Sequence, residues 1–401
     1  MLRTTFAAAL LAVTAAQAAP ETYSLSVAPD GGLAGSGASL LKERLARAQF
    51  LLYGEDHGFA DSPIVLRAIA HEARPLGFKY HAVEAGPLST RMIGRSLNRD
   101  GLDGLHKLVH DVPLGIPFLS LKDDAVLASD FLGTDAKGTP YLWGVDQEFI
   151  GTPVFHLKRL VEIAPDDRAR AAASKLLGEE QDAAAKASQQ DFLLSRAGDA
   201  EFDALAAMFK GNAEARDIVA EMKQSAAIYQ LWMHGHNYEN NARRARLLAK
   251  NFLSYYRAAG DAKPKVIFKM GIEHVALGTT TMNTIDLGTL ATQMARAAGS
   301  DSLRIAFLPM GGHDIAFAPK PGNPTAVEAY DSPEAKELFA ALGMDAASLP
   351  KDGWTLVPLE PVRQGLDTKG IDALKPFARF VVLGFDYVVT TPDAKPGASL
   401  Y

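Results

Sequence analysis

Two segments of the chain repeat one arrangement, in which an apolar run is followed by glycine, two further residues and a histidine. Residues 50–53 lead into Gly-Glu-Asp-His at 54–57, and residues 266–270 lead into Gly-Ile-Glu-His at 271–274. An imidazole beside carboxylates suits a general base that activates water. Two histidines and a glutamate with an open position are also a catalytic zinc pattern. The repeat therefore predicts one site with two imidazoles, which would activate water or hold a metal.

Carboxylates end further apolar runs in the same way. Glu84 follows the run that ends at Val83, and Asp146 follows residues 141–145. Ligands of open α/β sheets bind at the carboxyl ends of the strands, so these positions belong to the candidate site. Carboxylates after strands can instead cap helices. The leading carboxylate candidates are Glu55 and Glu84, and the secondary ones are Asp56, Asp146 and Glu273. The tentative metal ligands are His57, His274 and Glu84.

Cationic and further histidine candidates lie later in the chain. Arg243, Arg244 and Arg246 cluster on a predicted helix that runs to residue 256. An arginine in the site would bind a carboxylate or a developing oxyanion, although a run of charges is usually a solvated face. Spacing does not choose among the three arginines. His313, after two glycines, is a secondary candidate.

Composition and missing motifs exclude several classes of protein. The 401 residues include no cysteine, which excludes thiol catalysis, disulfides, cysteine zinc sites and a lipidated N-terminal cysteine. A net charge of −6 gives no basic footprint for nucleic acid. The chain has no G-x-S-x-G, H-E-x-x-H, Walker A or dinucleotide-binding pattern. Serine hydrolase, thermolysin-type protease, NTPase and Rossmann dehydrogenase are therefore disfavoured.

The elements that must position these residues follow an α/β pattern. Short apolar runs predict strands at 49–53, 79–84, 141–145, 265–270, 303–308, 354–358 and 380–385. Helical segments such as 64–73 and 125–131 lie between the early runs. Strands that alternate with helices predict an α/β fold with a mixed, largely parallel sheet flanked by helices.

The chain divides into three predicted parts, the last of which contains a helical insertion. Residues 1–18 have the charged, apolar and small-residue regions of a signal peptide, which predicts a periplasmic or secreted protein. Residues 19–39 are expected to be flexible, and residues 40–401 to form a single α/β domain. A helical insertion is expected at about 166–256. No later apolar run is long enough for a transmembrane segment.

The order of these motifs resembles the erythromycin esterase / ChaN / TraB-Tiki superfamily. That pattern is a strand into Gly-Glu-x-His-Gly, here at 54–58, followed by a strand that ends in glutamate, here Glu84. A later helix carries an arginine with an asparagine seven residues on, matched by Arg244 and Asn251. The last block is a strand into Gly-x-x-His, at 271–274. The spacing matches the double Gly-x-x-His proteases and the haem-binding ChaN type.

The resemblance implies roles for five residues. His57 would be the base or a ligand, with Glu55 and Glu84 as its supporting acids. Arg244 would bind the substrate or an oxyanion, and His274 would be the second imidazole.

Three functions follow as hypotheses. The leading one is an exported hydrolase acting on an ester or peptide bond of a small-molecule or peptide substrate. It would work either without a cofactor or with a divalent metal such as Mn²⁺, Co²⁺ or Zn²⁺. The alternatives are a periplasmic haem- or metal-binding protein, with His57 or His274 as an axial ligand, and a non-catalytic secreted scaffold.

Overall fold

A computed structural model describes residues 20–112, 114–116, 118–320 and 323–401 of the chain. The predicted signal peptide at 1–18 lies outside these described residues. Within them, no helix combines the length and the apolar composition needed to cross a bilayer.

The described strands form one large sheet and one separate hairpin. The strands are β1 (Tyr23–Val27), β2 (Leu33–Ala34), β3 (Ala48–Glu55), β4 (Phe78–Val83), β5 (Leu142–Gly144), β6 (Lys265–Gly271), β7 (Asp301–Phe307), β8 (His313–Lys320), β9 (Asn323–Ala329), β10 (Trp354–Pro358) and β11 (Tyr387–Thr390). The sheet order is β2-β1-β10-β11-β7-β3-β6-β4-β5, and β8 pairs with β9. Neighbouring strands from β11 to β5 are parallel, whereas β10, β1 and β2 add an antiparallel edge.

Helices surround the sheet. They are α1 (Ala38–Arg47), α2 (Asp61–Ala73), α3 (Pro87–Asp111), α4 (Lys122–Ser129), α5 (Pro153–Glu162), α6 (Asp167–Lys186), α7 (Leu193–Arg196), α8 (Asp199–Met208), α9 (Ala213–Met233), α10 (Asn237–Ala258), α11 (Ile272–Val275), α12 (Leu287–Ala297), α13 (Pro333–Ala341), α14 (Glu360–Gln364), α15 (Thr368–Ala373) and α16 (Pro376–Gly384). Turns of 3-10 helix lie at Arg74–Leu76, Gln189–Asp191 and Ala346–Ser348. The mixed, largely parallel sheet with flanking helices confirms the predicted fold class.

Strand β3 shows how the sequence builds the centre of the sheet. All eight of its residues are buried, as expected of a parallel strand covered on both faces. Phe50 and Leu52 pack into the core cluster on one face of the sheet. Leu51 and Tyr53 pack into the cluster on the other face, because side chains alternate along a strand.

The region between β5 and β6 consists of helices α5 to α10, linked by turns. Phe202, Leu205 and Phe209 pack together with Ile218 and Met222 in a core cluster of their own. These apolar side chains are buried between helices rather than against the sheet. The exception is helix α10, whose Leu248 belongs to the core cluster of the sheet. Helix α10 therefore links the helical region to the edge of the sheet where the candidate site lies.

Two sequence predictions of secondary structure are wrong. Residues 380–385 are not a strand, since α16 continues to Gly384 and the strand is β11. An apolar run that is buried on several sides looks the same in a helix as in a strand, and Pro376 at the helix start was the missed signal. The segment 19–39 is not simply a flexible linker, because it contains β1 and β2. Strand β1 buries Leu25 and pairs with β10, and the alternation of its apolar residues with serine was the missed signal.

Candidate active site

The sheet places the two Gly-x-x-His units side by side. Strands β3 and β6 are adjacent and parallel, and Glu55 lies directly opposite Gly271. Strand β4 is the next neighbour, and its last residue, Val83, pairs with Lys269. The carboxyl ends of all three strands therefore meet at one edge, so Glu84, which follows β4, comes close to both histidines.

Two histidine–carboxylate pairs face each other across Glu84. The Nδ1 atom of His57 lies 2.9 Å from Oε1 of Glu55, and Nδ1 of His274 lies 2.9 Å from Oδ2 of Asp286. The Nε2 atoms of His57 and His274 lie 3.5 Å and 3.6 Å from the two carboxylate oxygens of Glu84. One carboxylate thus stands between two imidazoles that are each oriented from behind by another carboxylate.

Glu84 is held from two further sides. Its Oε1 accepts a 2.6 Å hydrogen bond from Nη2 of Arg244, and its Oε2 accepts one of 2.5 Å from the backbone N–H of Gly271. A Cβ atom at residue 271 would lie 3.1 Å from Nε2 of His57, so glycine leaves room for this close approach. Burial alone would raise the pKa of Glu84, but the charges of His274, His57 and Arg244 hold it well below its usual range.

The structure selects Arg244 from the arginine cluster. Arg244 donates through Nε to Oδ1 of Asp146 at 3.0 Å and also binds the other oxygen of that carboxylate. Arg243 and Arg246 are exposed on other faces of α10. Asn251, two turns after Arg244, donates to the carbonyls of Val145 at 3.1 Å and Asp146 at 3.4 Å. Arg244 and Asn251 therefore attach α10 to the residues that follow β5, and these contacts place Asp146 in the site.

Behind His57 lies a buried charge network that the sequence analysis missed. Lys269 donates to Oε1 of Glu55 at 2.5 Å and lies 2.6 Å from Oδ1 of Asp124. Ser62 donates to the other oxygen of Glu55. Burial would raise the pKa of Glu55, but the charge of Lys269 and the hydrogen bond from His57 outweigh it and lower that pKa to about 2. A lysine inside an otherwise apolar strand was the available signal.

The pKa values of both imidazoles are raised by their surroundings. Burial would lower the pKa of His57, but the charges of Glu84 and Glu55 raise it above its usual value. Burial and the charge of Arg244 would lower the pKa of His274, and Glu84 and Asp286 raise it. Carboxylates outnumber the cationic side chains around the two rings, which is the common cause of both shifts.

The charged and titratable side chains of the site line a cavity of about 460 Å³, among them Glu55, His57, Glu84, Arg244 and His274. The same cavity also has an apolar wall. The wall is made by Phe118, Phe149, Tyr229, Ile272 and Met282. The ring of Phe118 stacks on the imidazole of His57, with the centroids 4.0 Å apart and the planes 22° apart. The site therefore combines a charged floor with a surface suited to the apolar part of a ligand. Sequence motifs did not indicate this wall because its residues come from separate helices and loops.

The secondary candidates differ in their positions. Asp56 and Glu273 line the cavity, where Asp56 accepts a 2.7 Å hydrogen bond from Tyr330 and Glu273 accepts bonds from Thr281. His313 is exposed at the start of β8 and is not among the described residues that line the cavity.

The donor set does not fit a metal centre. Among the described residues, no group of three His, Asp or Glu side chains is arranged to hold a metal ion. The oxygens of Glu84 already bind a guanidinium and a backbone N–H, and each Nδ1 is bound to a carboxylate. An arginine charge at this point also opposes a second cation. These contacts disfavour a metal held by His57, His274 and Glu84, and a bound metal or haem stays a prediction.

The fold is similar to those of three solved structures. A mutant of the erythromycin esterase EreC, in its open conformation, has a TM-score of 0.57 at 15% identity and covers 89% of this chain and 94% of that chain. A succinoglycan biosynthesis protein has a TM-score of 0.54 at 11% identity, over 91% of this chain and 93% of that chain. A protein from Bacillus cereus has a TM-score of 0.52 at 12% identity, over 90% and 92%.

Comparison of the whole sequence with protein-family models and with curated proteins does not detect this structural similarity. No protein-family model matches the chain, and no curated protein matches it. At such low identities the structural likeness establishes the fold. The chain has the erythromycin esterase-like fold that its motifs predicted.

Proposed function

We propose that this protein is a hydrolase that cleaves an ester or peptide bond, with His57 as the general base. The observation that carries the proposal is the convergence of two carboxylate-bound imidazoles and Arg244 on Glu84 in one cavity. The fold neighbour EreC is an erythromycin esterase, which supports hydrolytic chemistry on this scaffold.

His57 suits the base better than His274. The side chain of His57 is 33% exposed, whereas that of His274 is 5% exposed. In neutral His57, Glu55 accepts the Nδ1 proton, which leaves the lone pair on Nε2, the ring nitrogen on the side of Glu84. Lys269 and Ser62 fix the Glu55 carboxylate, so the imidazole is held in this tautomer. His57 can then take a proton from a water molecule that enters the cavity.

Hydrolysis would begin with the addition of water to the substrate carbonyl. The water oxygen forms a bond to the substrate carbonyl carbon while its proton moves to Nε2 of His57, and the carbonyl electron pair moves onto oxygen. The positive charge of Arg244 and a protonated His274 would stabilise that oxyanion. The intermediate then expels the alcohol or amine, which takes the proton back from His57. Glu84 positions both imidazoles and the guanidinium for this sequence.

The direct test is hydrolysis of p-nitrophenyl acetate by the purified chain and by His57→Ala. We expect the rate constant to fall by about 10²–10⁴-fold. His106→Ala is the matched control, because His106 is an exposed histidine on α3 and should retain full activity. Equal activity of His57→Ala and the parent protein would contradict the assignment of His57 as base.

We also propose that the chain is exported to the periplasm or secreted. The support is the order of Arg3, the apolar residues 6–16 and the small residues at 16–18. N-terminal sequencing of protein from its native host should find Ala19 first. An intact Met1 on that protein would contradict export by cleavage.

A further inference from the structure

Residues 395–401 run between two loops of the candidate site and bind to both. On one side, the carbonyl of Lys395 accepts a 2.9 Å hydrogen bond from Ala60, and the N–H of Gly397 donates to the carbonyl of Gly58 at 2.7 Å. Gly58 directly follows His57 in the chain. The segment is therefore attached to the loop that carries the proposed base.

On its other side the segment binds the loop that carries Phe118. The carbonyl of Ala398 accepts a 2.8 Å hydrogen bond from Lys122, and Leu400 donates to the carbonyl of Ser120 at 2.8 Å. The Tyr401 hydroxyl donates to the carbonyl of Ile116 at 2.9 Å. These contacts lie on both sides of Phe118 in the sequence.

Phe118 needs such support because its backbone is in an unfavourable region. Its φ is 51°, in the left-handed region that residues with a Cβ rarely adopt. Conformations of this kind persist where the surroundings over-determine them, and they cluster at functional sites. Here the bonds to Ile116 and Ser120 restrain the chain before and after the residue. The result is a phenyl ring stacked 4.0 Å from the imidazole of His57.

We propose that residues 395–401 form a strap that holds Phe118 against His57, which makes Phe118 and Tyr401 positioning residues of the site. The inference rests on the proposed function for its catalytic consequence. The strap sets the orientation of the imidazole from outside the sheet, whereas Glu55 sets it from within. The Tyr401 hydroxyl acts on the loop that carries Phe118, whereas the bond from Gly397 to Gly58 acts on the loop that carries His57.

The test uses the rate at which diethyl pyrocarbonate modifies each histidine, followed by peptide mapping in the mass spectrometer. Phe118→Leu removes the aromatic stack, so we expect His57 to be modified several-fold faster than in the parent protein. Phe118→Tyr keeps an aromatic ring and should restore the parent rate. Modification of exposed His106 and His110 in the same sample provides the internal reference.

Tyr401→Phe separates the strap from the stack. This change deletes only the hydroxyl that binds Ile116, and we expect it to accelerate modification of His57 in the same direction as Phe118→Leu. Because Tyr401 acts through Phe118, the double variant should be no faster than Phe118→Leu alone. Tyr238→Phe is the matched control, since Tyr238 is exposed on α10 and should leave the rate unchanged.

Three outcomes would overturn the inference. An unchanged His57 rate in Phe118→Leu removes the positioning role of Phe118. An additive double variant, or no effect of Tyr401→Phe, removes the strap. Diethyl pyrocarbonate reacts with the imidazole itself, so the modification rate of His57 does not depend on whether the protein hydrolyses a substrate. In p-nitrophenyl acetate hydrolysis, a positioning role predicts a lower kcat with little change in KM for Tyr401→Phe, because Tyr401 is not among the described residues that line the cavity.

Discussion

Glu55 and Gly271 lie directly opposite each other on adjacent parallel strands, and this pairing creates the site. The residues that follow these strands then emerge at the same edge of the sheet. His57 and His274 are more than 200 positions apart in the sequence, yet both imidazoles reach the carboxylate of Glu84. The Gly-x-x-His motif is thus repeated because two neighbouring strands end at the same cavity.

The two histidines should act as one unit. His57→Ala and His274→Ala should each lower hydrolysis severely, because each removes a partner of Glu84 that the other cannot replace. The double variant should be little worse than either single variant, since groups that work together are non-additive. Rate constants of the four proteins form the required cycle, with thermal unfolding as the check on folding. Two independent, multiplying losses would contradict a shared site.

Lys269 should matter for both stability and activity. Lys269→Met leaves Glu55 and Asp124 buried without their counter-charge, and breaking a buried pair in this way costs roughly 3–5 kcal/mol. The same change releases the carboxylate that orients His57, so activity should fall as well. Lys79→Met is the control, because its pair with Asp261 is exposed and contributes only about 0–1 kcal/mol. Urea unfolding of both variants measures the difference, and equal losses would contradict a buried ion network.

Hydrolysis should increase with pH through the titration of His57. The base works only when neutral, and nearby carboxylates raise the pKa of His57 above its ordinary value. The ascending limb of kcat/KM should therefore have its midpoint above about 6.5. Replacing Glu55 by Gln removes one of the charges that raise this pKa, so the midpoint should move to lower pH. A pH profile of each protein is the measurement, and a midpoint that moves upward in Glu55→Gln would contradict the electrostatic account.

Chelation separates the metal-free site from a metal-dependent one. Arg244 and Gly271 occupy the oxygens of Glu84, so we expect EDTA treatment followed by dialysis to leave hydrolysis unchanged. A metal site of His57, His274 and Glu84 would instead lose activity and regain it with Mn²⁺, Co²⁺ or Zn²⁺. Metal analysis and an absorption spectrum of the purified protein also test the haem alternative, which predicts a Soret band.

The sequence by itself determined the main strands and one side of the site. Largely apolar runs such as 49–53 and 265–270 predict buried parallel strands, because strands covered on both faces carry nearly continuous apolar residues. Glycine, carboxylate and histidine after such runs predict side chains at the ligand-binding edge. Local sequence patterns are therefore sufficient to identify His57, Glu84 and His274 as candidate site residues.

Only the tertiary structure decided which other side chains meet there. Spacing could not separate Arg244 from its neighbours, since the choice depends on which face of α10 docks against β5. Asp286 contacts His274 from a helix cap, and Phe118 contacts His57 from a distant loop. Lys269 contacts Glu55 from the neighbouring strand, so local sequence patterns do not connect these residues to the histidines. The charge balance that shifts both imidazole pKa values, and the strap behind Phe118, exist only once the chain has folded and these groups are desolvated together.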